Sequence, residues 1–201
     1  EIPLRLVGSE MCIRDRRASA ARAAVPARVP PAAAPAPPNK AMAAPVRAYI
    51  GLGANLGDSA ATLRTVLAEL AGADGIDAVT ASPFYRSAPV DATGPDFVNA
   101  VAALDTTLAP LALLDLLQAL EQRHGRERPY KNAPRTLDLD LLLHGDTTMA
   151  HERLVLPHPR MPLRAFVLRP LRDLAPTLTL AGRSLDAWLD DIADQPIERI
   201  A

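Results

Sequence analysis

The chain predicts an α+β fold in which an antiparallel sheet carries its helices on one face. Three observations lead there. Two stretches with helical spacing, 58–71 and 110–124, begin at capping residues or proline and stop at glycine. Extended runs at 47–52, 76–90, 97–104 and 136–143 surround them. The resulting order is strand, helix, strand, strand, helix, strand, which is the ferredoxin-like arrangement.

Each element has a local reason. Arg47 to Leu52 (RAYIGL) reads as a buried strand running into Gly53-Ala54-Asn55-Leu56-Gly57. Glycines 51, 53 and 57 fit neither G-x-G-x-x-G nor a P-loop, so neither standard glycine loop is present to cradle phosphates. Asp58 or Ser59 caps a helix to about Ala71, with Leu63, Val66, Leu67 and Leu70 as its core stripe and Gly72 as its stop. Ile76 to Val90 reads as one long extended stretch, and Phe97 to Leu104 pairs with it. Pro110 then opens a helix to about His124, where Leu113, Leu114, Leu117 and Leu120 face the core. Gln118 and Glu121 share a more polar side. Gly125 ends the helix, and a loop from Arg126 to Ala133 leads into the next strand. A short strand near Leu154, a Pro-rich loop and helices around Leu163–Asp173 and Leu185–Ala193 complete the chain.

Composition narrows the function. The 201 residues are 49% hydrophobic with a formal charge of −1, which suits one globular domain and gives no basic field for nucleic acid. The single cysteine, Cys12, provides neither a disulfide nor a nucleophile in the domain. No apolar run reaches the roughly 18 residues of a membrane span, so the chain reads as soluble and cytoplasmic, with no membrane or nucleic-acid partner and as a monomer. Residues 46–201 form the domain. Residues 1–45 read as a disordered leader, Ala/Pro-rich from Arg17 onward. Within it, Glu1 to Arg16 has no period and no starting Met, and resembles translated sequencing-adapter read-through.

Chemistry concentrates in Pro134-Arg135-Thr136-Leu137-Asp138-Leu139-Asp140-Leu141. Thr136, Asp138 and Asp140 fall on one face of a strand and the leucines on the other. Asp is depleted in strands, so two on one face need a reason. Neighbours on a face lie about 6.6 Å apart, at a rise of roughly 3.3 Å per residue. At an effective dielectric near 20, two carboxylates at that separation repel by about 2.5 kcal/mol. Divalent cations reverse the sign, and hard oxygen ligands favour magnesium. For a bare D-x-D alone, an edge strand with a solvated acidic face would be the better explanation. The cations around it do not suit that bland reading: Arg126, Arg128, Lys131 and Arg135 precede Asp138, and Arg153, His158, Arg160 and Arg164 follow. Arginine forks suit phosphate, and a metal-bound polyphosphate needs several. His158, held between two prolines, is the histidine best placed to donate to phosphate. Among few aromatics, Phe97 shares a strand face with Asn99, and a ring beside an amide suits a flat heterocycle.

Six motifs then occur in order: AYIGLGANL (48–56), FYRS (84–87), FVNA (97–100), GRER (125–128), PRTLDLD (134–140) and LPHPRM (156–161). Together they resemble the 6-hydroxymethyl-7,8-dihydropterin pyrophosphokinases of folate biosynthesis, over about Val46 to Pro176. The resemblance implies transfer of a pyrophosphoryl group from ATP to the pterin hydroxyl, with AMP released. By the same resemblance Asp138 and Asp140 hold two magnesium ions, and Arg126 and Arg135 assist the transfer. ATP would be bound by Gln118, Glu121, Arg128, Arg153, His158 and Arg164. The pterin would stack between Phe97 and Phe166, with Asn99 and the backbone from Ser87 to Val90 along its edge. Asp140 is a candidate proton acceptor. Two departures stand out: Tyr130-Lys131-Asn132-Ala133 replaces a family tryptophan loop, and Pro159 stands where a tyrosine usually follows the Pro-His pair. Rival readings are a metal-dependent nucleotidyltransferase and a non-catalytic ligand-binding module of the same fold.

Overall fold

A computed structural model describes residues 44–89, 94–125 and 135–200. The proposed leader, Val90, and the loop carrying Arg126, Arg128, Tyr130 and Lys131 lie outside the described residues.

The central strand β1 (Val46–Ala54) alternates fully buried with partly buried positions from Ala48 onward, as a strand with one face packed and the other only partly covered does. Helix α1 (Ser59–Ala71) follows. Asp58 caps it by accepting the Ala61 N–H at 3.0 Å, and Gly72 closes it. The long extended stretch is in fact two strands, β2 (Ile76–Ala81) and β3 (Tyr85–Ser87). Ser82-Pro83-Phe84 breaks it, since Pro83 has no N–H to give to a ladder. Both pieces pair with β4 (Phe97–Thr106), which in turn pairs with β1. Helix α2 (Pro110–Arg123) leads to β5 (Asp138–His144) on the other side of β1. All these pairings are antiparallel, and the sheet order β3-β4-β1-β5 is the ferredoxin-like one.

After β5 come a hairpin, β6 (Met149–His151) with β7 (Leu154–Leu156), and a single 3₁₀ turn at 161–163. Helix α3 (Ala165–Leu174), a two-residue hairpin of β8 (Thr179–Leu180) and β9 (Arg183–Ser184), and helix α4 (Leu185–Asp190) follow. The last strand, β10 (Ile197–Arg199), returns to pair with β3 and finishes the sheet. No helix among the described residues is long and apolar enough to cross a membrane.

The two helices of the ferredoxin-like core share one face, as expected, and the C-terminal extension supplies the other. Helices α1 and α2 bury one face, where Ile50, Leu52, Leu104, Leu113, Leu117 and Leu141 meet. Helices α3 and α4 sit on the opposite face, against Val101, Leu142 and Leu143. On that side β1 and β5 slip register between Tyr49 and Ile50, adding one residue on β5. Leu142 and Leu143 thereby both join the second core. Each fully buried leucine is worth about 1.5–3 kcal/mol relative to exposure. The second face is covered only in part, and what it leaves uncovered is polar.

Candidate active site

The strand pattern places the two aspartates as expected. Leu137, Leu139 and Leu141 are 0, 5 and 2% exposed in the first core, while Asp138 and Asp140 stand half-buried on the other face. The backbone between them is fixed by α2: the Leu139 N–H donates to Glu121 Oε1 at 2.6 Å. Glu121 is therefore not on a polar side of its helix. It follows Leu113 and Leu117 at four-residue steps in the inward stripe, and it is only 3% exposed. Below this point Thr136 Oγ1 donates to the His124 carbonyl at 2.6 Å, anchoring the start of the strand to the end of α2.

Each aspartate faces an arginine. Arg135 Nη1 donates to Asp138 Oδ2 at 2.6 Å, and Arg164 Nη1 lies 3.4 Å from Asp140 Oδ2. The Arg164 guanidinium also lies over the Phe166 ring, 5.5 Å from its centre, so Phe166 shares this corner.

His158 completes it. Its backbone N–H donates to the Leu142 carbonyl at 2.9 Å, two residues past Asp140. Its Nδ1 accepts the Arg160 N–H at 3.2 Å, which leaves the proton of the neutral ring on Nε2 as a donor. Burial is the main cause holding its pKa below the ordinary histidine value. Asp140 and Asp138 pull the other way, while Arg164 and Arg160 reinforce the lowering.

The opposite side of the floor comes from β4. Phe97, Asn99 and Val101 share the face that carries the aspartates. In register, Gly53 sits between Asn99 on one neighbour and Asp138 on the other. A Cβ on Gly53 would lie 3.3 Å from Asn99 Oδ1 and 3.9 Å from Phe97 Cδ1. Glycine thus keeps the floor open where the two halves join. Asn99 Nδ2 donates to Ser87 Oγ at 2.9 Å, both residues being buried, so the amide is already oriented. Gln118 and Arg153 meet on the exposed side of α2, where Arg153 Nη2 reaches Gln118 Oε1 at 3.3 Å and also pairs with Asp115.

Two ties escaped the sequence reading. Asn55 joins Arg135 to Pro95, and Tyr85 O–H donates to Asp173 Oδ2 at 2.6 Å, tying β3 to α3. Asn55 lies within a motif already singled out, yet nothing local reveals what it bonds.

Metal chemistry was tested on the donors themselves. Among the described residues no group of three or more His, Cys, Asp or Glu side chains could hold an ion. Two partly exposed carboxylates on one strand face nonetheless fit magnesium. That ion is commonly held by one or two carboxylates, with substrate phosphates and water filling the rest.

Comparison with known proteins agrees. The family described as 7,8-dihydro-6-hydroxymethylpterin-pyrophosphokinase (HPPK) matches residues 49–176. A 2-amino-4-hydroxy-6-hydroxymethyldihydropteridine pyrophosphokinase of Pseudomonas aeruginosa is 47% identical over 156 residues, covering 77% of this chain and 96% of that one. A protein of the same name from Methylorubrum extorquens is 41% identical over 155 residues, covering 77% and 98%. Among solved structures, an HPPK-DHPS in complex with substrates superposes with a TM-score of 0.62 at 12% identity. It covers 76% of this chain, which spans only 44% of that longer one. A Plasmodium falciparum HPPK-DHPS gives 0.60 at 14% identity, over 75% of this chain and 46% of its own. These structural likenesses speak for the fold; the sequence matches settle the family. The chain belongs to the 7,8-dihydro-6-hydroxymethylpterin-pyrophosphokinase family.

Proposed function

We propose that this chain carries out its family's reaction with Asp138 and Asp140 as the metal-holding pair at its centre. The enzyme is an ATP-dependent diphosphotransferase of folate biosynthesis: it moves the pyrophosphoryl group of ATP onto the hydroxyl of 6-hydroxymethyl-7,8-dihydropterin and releases AMP. The hydroxymethyl oxygen bonds to the β-phosphorus as the bond from that phosphorus to the α,β-bridging oxygen breaks, and AMP departs with the bridging oxygen. The hydroxyl proton passes to Asp140, the more exposed of the two carboxylates at 37% against 24%.

Such a transfer is governed by positioning and charge, so no activated serine or cysteine is needed. Asp138 and Asp140 would hold two magnesium ions, whose chemistry there would be charge neutralisation and alignment of the attacking and leaving oxygens. The protein's own residues do the rest. Arg135 and Arg164 move from the aspartates onto phosphate oxygens, joined by Arg126 and Arg128 from the neighbouring loop. His158 donates its Nε2–H to the polyphosphate. Gln118 and Arg153 hold the nucleotide. Glu121 supports the nucleotide side indirectly, by fixing the Leu139 amide. Phe97 and Phe166 sandwich the pterin, and Asn99, with Ser87 and Val90, reads its edge. The enzyme works as a cytoplasmic monomer.

The observation carrying this reading is the pair of aspartates on one face of β5, each opposite an arginine, with His158 bonded to the same strand at Leu142. The test is AMP production. AMP should appear from ATP only when hydroxymethyldihydropterin and magnesium are both present. Pyrophosphate released from ATP, with the nucleotide retained on an acceptor, would favour nucleotidyl transfer; no turnover of ATP at all would favour a binding module.

A further inference from the structure

We infer that Asn55 is a positioning residue that sets the phosphate half of the site in place against the pterin half. The inference rests on the reading of Arg135 with Asp138 as the phosphate side, and of Phe97 with Asn99 as the pterin side. Asn55 is 3% exposed and uses three of its polar groups across two other segments. Its backbone N–H donates to the Arg135 carbonyl at 3.1 Å. Its Oδ1 accepts the Arg135 N–H at 2.8 Å. Its Nδ2 donates to the Pro95 carbonyl at 3.2 Å.

The first two bonds copy a β-ladder with one substitution: the side-chain oxygen stands where a backbone carbonyl would. The β1–β5 pairing, which ends at Gly53 opposite Asp138, is thereby carried on to Arg135. With its peptide held on both sides, Arg135 directs its guanidinium to Asp138 Oδ2. The third bond reaches the other half, since Pro95 lies two residues before Phe97. Asparagine alone combines a short stem with an acceptor and a donor on the same group. Asp lacks the donor, Ser lacks the reach, and Ala lacks both.

The test uses the full chain, with steady-state AMP production measured while ATP and hydroxymethyldihydropterin are varied separately. Asn55→Ala should raise KM for both substrates and lower kcat, each by about tenfold, the worth of one or two buried hydrogen bonds. Asn55→Asp keeps the acceptor for Arg135 and turns an oxygen toward the Pro95 carbonyl. It should raise the pterin KM by about tenfold and the ATP KM by less than about threefold. Thr106→Val serves as the structural control. Thr106 Oγ1 donates to the Gly75 carbonyl at 2.7 Å beside β2, so its loss should lower Tm while leaving both KM values in place. A pterin KM within about twofold of wild type in Asn55→Asp would overturn the inference. So would a Thr106→Val that reproduces the Asn55 pattern. Wild-type chain that makes no AMP would instead refute the reaction itself, whatever the Asn55 variants do.

Discussion

The two faces of the central sheet are built from the same strands and do opposite work. On the face covered by α1 and α2, β1 and β5 contribute Ile50, Leu52, Leu139 and Leu141, and no charged group from these strands intrudes. One residue away on each strand, the other face contributes Gly51, Gly53, Asp138 and Asp140. The difference is a matter of cover. Where α3 and α4 lie on the second face, leucines return; beyond their reach the strands carry carboxylates and glycines. A one-residue shift of β5 would exchange the two sets, so the same register that builds the core also builds the site.

Substitutions on β5 separate the two faces most sharply. Asp138→Ala should lower AMP production by about a thousandfold while the thermal unfolding midpoint stays within a few degrees of wild type. A variant that keeps a tenth of its turnover would break the contrast. Leu141→Ala, on the other face, should cost about 2–5 kcal/mol of stability, read by denaturant unfolding. Its kcat per folded molecule should be near wild type. Gly53→Val tests the junction on the open face. A branched side chain there meets Asn99 and Phe97, so the pterin KM should rise by about tenfold with the ATP KM little changed.

The smallest effect expected is at Tyr85. Tyr85→Phe removes the bond to Asp173 and should cost about 1 kcal/mol near neutral pH. Burial, then the bond to Asp173, raises the Tyr85 pKa in the folded protein. A raised folded pKa means that this stability is fully present below the unfolded tyrosine value near 10 and is lost as pH rises through the folded one. Stability measured through the alkaline range should therefore fall less steeply in Tyr85→Phe than in wild type.

Much of this contrast was legible in the sequence. The period of two in LDLDL assigns the faces of β5 directly, and Asp58, Pro110 and the glycines after each helix mark α1 and α2. Of the C-terminal hairpins only the strand near Leu154 was legible, because strands of two or three residues are too short to show a period. Nor does any local pattern announce the bulge at Leu142. Glu121 was misplaced for a different reason. Residue type alone puts a glutamate outside, and only the folded chain brings the Leu139 N–H to meet it. Asn55 was visible as part of a motif, but its two partners lie 40 and 80 residues away in sequence.

The strand β10 bears on where the folding unit stops. The family match ends at residue 176, yet Ile197–Arg199 occupies the outer side of β3, and Leu185 and Leu189 fill the second core. A protein cut back to the matched stretch would keep every catalytic side chain named above. It would also present a bare ribbon border and a greasy hollow to its neighbours, and so invite self-association. The tail thus fills that hollow and moves the border out to a strand of only three residues.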